Sequence, residues 1–184
     1  MTGAMSLLKV TGAAGADAAR HNSSMAAVPF IPRTIVVHMP SVPGFLFIDH
    51  VAIAVPAGDL ERRAESYKAL GFHEVHREDV PGSDQVREVL LQIGEGPNLI
   101  QLLEPLAVDS PVAKLIERNG GRGGFAHLAV RVSDIQAAFR YMKENGFELI
   151  DQAPRPGSRG TTVFFVHPRS LGYLLEVVQE GAHD

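Results

Sequence analysis

The sequence predicts an α+β fold made of two tandem βαβββ modules whose curved, barrel-like mixed sheets surround a polar site. Three observations carry that prediction. The run Ile48-Asp49-His50-Val51-Ala52-Ile53-Ala54-Val55 returns as Phe125-Ala126-His127-Leu128-Ala129-Val130-Arg131-Val132, with histidine in the same place. Each run leads into a helical segment closed by a Gly-Phe pair, Gly71-Phe72 and Gly146-Phe147. Three further strand-like runs follow each helix, so the β-α-β-β-β order occurs twice, as two curved sheets.

The elements follow in chain order. Residues 1–28, rich in Ala, Gly and Ser, read as a flexible leader, and 29–44 as a proline-flanked arm or edge strand around Thr34-Ile35-Val36-Val37. The first module takes 45–106, with strands after its helix near Glu74–Glu78, Val86–Ile93 and Leu99–Leu103. A linker helix is expected in 107–121, with Pro111 in its first turn and Asn119-Gly120-Gly121 at its end. The second module takes 122–180, with strands near Glu148–Asp151, Thr161–Val166 and Tyr173–Val178, and 181–184 form a tail. Asp59, and Ser133 or Asp134, are placed to cap the two module helices, and Gly71 and Gly146 to end them in the left-handed conformation.

Bulk composition narrows the function classes. A length of 184 residues suits one domain or two small fused modules, and a net charge of -4 gives no basic excess for nucleic acid. There is no cysteine, which excludes disulfides and thiolate zinc sites and leaves nitrogen and oxygen as metal ligands. No apolar run approaches the roughly 20 residues needed to cross a bilayer. The leader lacks a basic segment followed by a solid apolar one, so a cytoplasmic protein is expected.

Overlaying the modules exposes a second repeat. Each places a histidine in its first strand, His50 or His127, and an amide or carboxylate in its last, Gln101 or Glu176, at nearly equal separations. Gln101 alternates with Leu99 and Leu103, and Glu176 with Leu174 and Val178, so each polar group shares a face with apolar neighbours. One such residue is commonly a satisfied core or edge side chain. The same exception in both copies calls for compensation of buried polar groups, and a divalent cation supplies it. Two imidazoles and two oxygen donors leave an octahedral ion two open positions.

The duplicated module and the His50, Gln101, His127, Glu176 pattern resemble the vicinal-oxygen-chelate superfamily, which includes glyoxalases, extradiol dioxygenases and antibiotic-resistance proteins. Within it the chain is most similar to the methylmalonyl-CoA epimerases. The matching segments include Ile48-Asp49-His50-Val51-Ala52, Gln85-Val86-Arg87-Glu88, Ile100-Gln101-Leu102-Leu103-Glu104-Pro105, Asp109-Ser110-Pro111-Val112-Ala113-Lys114 and Val166-His167-Pro168-Arg169-Ser170. The likeness covers about Phe45 to Gln179. Two departures stand out. Ala126 precedes His127 where the family often has a second histidine, and Leu171-Gly172-Tyr173 stands where it tends to have small residues.

The resemblance implies a metal-dependent epimerase inverting C2 of methylmalonyl-CoA, or a related 2-substituted malonyl-CoA, by a 1,1-proton transfer through an enolate. It implies Co²⁺ as the active metal, with Mn²⁺, Zn²⁺ or Ni²⁺ as other occupants, and a homodimer with an acyl-CoA as its small-molecule partner. Inverting a planar intermediate takes two acid/base groups on opposite faces. Glu88 matches the family's catalytic glutamate and Glu176 doubles as ligand and second base. Arg155, Arg159, Arg169, Lys114 and Arg118 are candidates for the CoA phosphates, and His167 for the substrate carboxylate or carbonyl. His21, His38, His73, His76 and His183 have no counterpart in the other module and read as surface or local. Competing expectations are a glyoxalase-type isomerase or lyase, and a non-catalytic, antibiotic-sequestering binding protein of the same fold.

Overall fold

The computed structural model describes residues 41–181. The leader and nearly all of the arm therefore lie outside the described residues, as do 182–184.

The first module runs β1 (Phe45–Ala54), α1 (Leu60–Ala69), β2 (His73–Val80), β3 (Val86–Gln92) and β4 (Leu99–Pro105). Helix α2 (Pro111–Arg118) connects it to β5 (Gly124–Val132), α3 (Ile135–Glu144), β6 (Arg155–Pro156), β7 (Thr162–Val166), α4 (Pro168–Leu171) and β8 (Leu175–Gln179). The expected pair of sheets is in fact one eight-stranded mixed sheet, ordered β2-β3-β4-β1-β5-β8-β7-β6. The two four-stranded halves join because β1 and β5, the two histidine strands, pair antiparallel. Within each half the first strand lies parallel to the last, β1 with β4 and β5 with β8.

Apolar burial follows the same duplication. Leu60 and Ala64 of α1 pack on Val55, Val89, Leu91 and Leu102. Ile135, Ala138, Phe139 and Met142 of α3 pack on Val130, Val132, Phe164 and Val177. Both helices therefore lie on strand residues of the parity opposite to the histidines, which leaves the His face free for a site. Helix α2 lies on that other face, where Val112 and Ile116 cover Ala52, Ala54, Val86 and Leu103.

Helix ends hold one expected cap and one replacement. Asp134 accepts from the Ala137 N–H at 2.9 Å, and Ser110 does the same for α2 from Ala113 at 3.1 Å. Asp59 does not cap α1; its carboxylate is taken by Arg62 Nη2 at 2.7 Å. Glu104, reaching over from β4, accepts instead from the Gly58 and Leu60 N–H groups at 2.7 and 3.3 Å. A strand side chain thus meets the free donors of the helix start and ties α1 to the sheet. Gly71 and Gly146 have φ of 95° and 81°, as the helix ends require.

The second module departs most from expectation after α3. The strand expected at Glu148–Asp151 is reduced to a single bridge, Leu149 to Val166, and the edge strand β6 has two residues. Pro154 and Pro156 lack the N–H that a longer ladder would use. The His167-Pro168-Arg169-Ser170 loop closes into the short helix α4, with His167 at its N-cap and Pro168 in its first turn.

Candidate active site

The register of four central strands builds the site. His50 of β1 pairs with Ala129 of β5, and Ala129 in turn with Glu176 of β8. His127 of β5 pairs with Ala52 of β1, and Ala52 with Gln101 of β4. The four polar residues thus occupy two adjacent rows related by the internal duplication, with a fully buried alanine in the middle of each row. A methyl group at these two positions leaves room between the longer side chains that flank it.

Three of those side chains converge. His50 Nε2, His127 Nε2 and Glu176 Oε2 are mutually 3.1 Å apart. Donors bonded to one ion at about 2.1–2.2 Å, at right angles, are separated by about 3.0–3.1 Å. His50 Nδ1 faces the Asp49 carboxylate at 2.9 Å, so in a neutral ring the proton sits on Nδ1 and Nε2 presents its lone pair inward. Three electron-pair donors pointing at one another need a positive charge between them. The fourth residue, Gln101, donates from Nε2 to Glu88 Oε2 at 2.7 Å, and its buried Oε1 has no partner among the described residues. The residues present therefore fit a divalent cation, with His50, His127 and Glu176 as a ready triad and Gln101 Oε1 as a further oxygen.

Electrostatics agree with that geometry. Burial opposes a carboxylate at Glu176, but hydrogen bonds and charge from His127 and His50 hold its pKa well below the usual range. Burial likewise opposes charge on His50, yet its bonds to Asp49 and Glu176 lift its pKa to about 9. Without a cation, a proton on imidazole supplies the missing positive charge.

Asp49 and Arg131 escaped the sequence reading. Ile48 pairs with Val130 and His50 with Ala129, so Asp49 is the extra residue of a β-bulge. The bulge turns a side chain that strict alternation would send away from His50 back beside it. Asp49 also accepts from Arg131 Nε at 2.6 Å and from Arg159 Nη2 at 3.2 Å. Burial pushes its pKa up, but the hydrogen bond to His50 and the charges of His50, Arg131 and Arg159 more than offset that and hold it at about 2. A signal was present in the sequence: Arg131 is a charged residue on the same strand face as His127, amid apolar neighbours.

The site opens into a cavity of about 540 Å³ lined by Glu88, Gln101, His127 and Glu176 among largely apolar neighbours, including Val86, Leu103, Phe125, Val163 and Phe165. That size suits a small-molecule ligand. Glu88 is 2% exposed, and burial raises its pKa, reinforced by Glu78 and opposed by Ser158, Arg159 and His76. Glu88 and Glu176 thus face one cavity from opposite halves of the sheet, one pushed towards a proton and the other away.

The remaining candidates divide. Arg155 lines the cavity, stacks over Phe165 at 5.4 Å and pairs with Asp84 and Asp151. Arg118 also lines it, whereas Lys114, Arg169 and His167 lie outside its lining. Arg169 pairs with Glu148, and the His167 ring accepts from the Arg169 N–H at 3.1 Å. Arg159 is held by Asp49. Tyr173 lines the cavity edge-on to Phe125, while Leu171 does not reach it. His76, expected at the surface, stands 3.8 Å from Glu88 Oε1.

Comparison with known proteins gives this geometry its relatives. The family model described as Glyoxalase/Bleomycin resistance protein/Dioxygenase superfamily matches residues 49–165. The chain is 38% identical over 136 residues to the ethylmalonyl-CoA/methylmalonyl-CoA epimerase of Cereibacter sphaeroides, covering 72% of this chain and 96% of that one. It is 33% identical over 133 residues to the mitochondrial methylmalonyl-CoA epimerase of Homo sapiens, covering 72% and 73%. The crystal structure of methylmalonyl-CoA epimerase from Mycobacterium tuberculosis superposes with a TM-score of 0.71 at 34% identity, over 79% of this chain and 95% of that one. The chain belongs to the methylmalonyl-CoA epimerase family within the glyoxalase, bleomycin resistance protein and dioxygenase superfamily.

Proposed function

We propose that this enzyme epimerises C2 of methylmalonyl-CoA, or of a closely related 2-substituted malonyl-CoA, in a metal-dependent 1,1-proton transfer. The observation that carries the reading is the pairing of a buried, proton-seeking carboxylate, Glu88, with a cation-ready triad around one cavity. The relatives' names supply the substrate class.

His50, His127, Glu176 and Gln101 would hold the divalent ion. When bound, it supplies a Lewis acid for the negative charge that develops on the thioester oxygen. Glu88 takes or returns the C2 proton on one face of the planar intermediate. Its raised pKa brings it nearer to the carbon acid it must serve, and the Gln101 amide fixes the carboxylate from one side. Glu176 serves the opposite face. Its pKa is drawn down by His127 and His50, so Glu88 is the stronger base of the two. The apolar wall of Val86, Leu103, Val163 and Phe165 keeps bulk water from the intermediate. Arg155 and Arg118, which line the cavity, are the cations assigned in this reading to the anionic parts of the substrate. The antibiotic-sequestering alternative has no use for a raised Glu88 beside a cation triad.

The test is proton NMR of methylmalonyl-CoA in D₂O with metal-stripped and reloaded protein. The reading expects loss of the C2 proton signal with reloaded protein and little with stripped protein. Turnover of a glyoxalase substrate without C2 exchange would replace it.

A further inference from the structure

Glu88 has one carboxylate oxygen that Gln101 does not hold. One carboxylate oxygen, Oε2, is held by Gln101; the other, Oε1, is buried with no partner in hydrogen-bond geometry among the described residues, although the Ser158 side chain acts on the carboxylate. It faces His76 Nε2 at 3.8 Å, and that nitrogen is likewise buried and without a hydrogen-bond partner among the described residues. Glu78 completes the group, with Oε1 at 3.5 Å from the same nitrogen.

The β2–β3 hairpin creates this arrangement. Glu78 and Glu88 are directly opposed across the ladder, a like-charge pairing that is unfavourable unless something positive lies between them. His76 lies two residues before Glu78, on the same face of β2. Arg159 acts on Glu88 through its charge, but it directs its Nη2 to Asp49 and meets Glu78 through its backbone N–H. One imidazole nitrogen and two carboxylate oxygens lie within 4.8 Å of one another. Around a tetrahedral ion with bonds of about 2.0–2.2 Å, neighbouring donors are about 3.4 Å apart, so a small closure suffices. His76 and Glu78 have side chains 31% and 34% exposed, which gives an ion a path from solvent to the buried oxygen of Glu88.

We propose that His76, Glu78 and Glu88 form a second divalent-cation site, of nitrogen and oxygen donors suited to Zn²⁺, separate from the His50–His127–Glu176 triad. Filling it engages Oε1 of Glu88. This consequence rests on the reading of Glu88 as the base: the second ion removes that base and inhibits the enzyme, whereas the first ion activates it. Excess zinc is therefore inhibitory through a defined site.

The experiment counts zinc. Equilibrium dialysis of the metal-stripped full chain against Zn²⁺, followed by metal analysis, should give two equivalents for the wild type. His76→Ala and Glu78→Gln should each lose one, and Glu78→Gln keeps an acceptor for the Arg159 N–H. His50→Ala should lose the other. A single equivalent in the wild type, or two in both hairpin variants, overturns the proposal. Activity is then followed as Zn²⁺ is raised beyond one equivalent, and loss is expected in the wild type but not in Glu78→Gln. If the second zinc binds and activity is unchanged, the site stands and the assignment of Glu88 as base falls.

Discussion

Gln101 holds Glu88 with its nitrogen, at 2.7 Å, and leaves its own oxygen buried and without a partner among the described residues. A carboxylate only accepts hydrogen bonds, so the amide nitrogen must face Glu88 and the oxygen must point elsewhere. One side chain therefore couples the candidate base to the candidate cation site. Glu88 acts as a base only when deprotonated, and its pKa is raised chiefly by burial. The acid limb of kcat/KM against pH should thus lie above the ordinary carboxylate value of 4.5. Gln101→Glu replaces the donor by a second carboxylate and should move that limb up by about one unit or more at saturating metal. An unmoved limb would separate Glu88 from the rate.

Asp49 orients His50 and gathers Arg131 and Arg159 in the same buried network. Asp49→Asn removes the charge that fixes the imidazole and leaves Arg131 underpaired. Metal affinity should fall by about 10–100-fold, as when an outer carboxylate is lost from a His ligand. Stability should fall by about 3–5 kcal/mol, as when one partner of a buried ion pair is removed. Because the folded pKa, about 2, lies below the ordinary 3.8, the contribution of Asp49 is complete above that ordinary value and is lost as pH falls towards 2. Chemical denaturation between pH 6 and pH 2 should therefore show a steeper acid loss for the wild type than for the variant. Parallel curves would mean that the network carries no pH-dependent stability.

Ala129 separates His50 from Glu176 across three strands and is fully buried. Ala129→Val adds branched bulk where the donors converge and should cost about 1–3 kcal/mol of overpacking. Metal analysis of the purified variant should find the triad site empty while circular dichroism keeps the wild-type fold. A full equivalent of metal in that variant would mean that the alanine rows do not set the room for an ion.

Much of the molecule was legible from residue pattern because duplication makes one sequence report twice. The His50 and His127 strands, the Gly71 and Gly146 helix ends and the polar exceptions Gln101 and Glu176 all repeat, and repetition separates signal from coincidence. What stayed hidden has no repeat. Asp49 reaches His50 only through a bulge, and a bulge depends on pairing with β5, far along the chain. Glu104 caps α1 from a different strand, where local spacing pointed to Asp59. The junction of the halves into one sheet is likewise a β1–β5 pairing that neither module encodes alone. His76 faces Glu88 because of hairpin register, and with no counterpart in the second module it read as surface.

In the proposed mechanism Glu88 and Glu176 work on opposite faces of one planar intermediate. The test is to incubate each epimer of methylmalonyl-CoA separately with Glu88→Gln in D₂O and follow C2 by NMR. The wild type should exchange and invert both epimers. The variant should place deuterium in one epimer only, without inversion, because Glu176 alone removes and returns the proton on its own face. Inversion of both epimers by Glu88→Gln, with deuterium in each, would contradict the account.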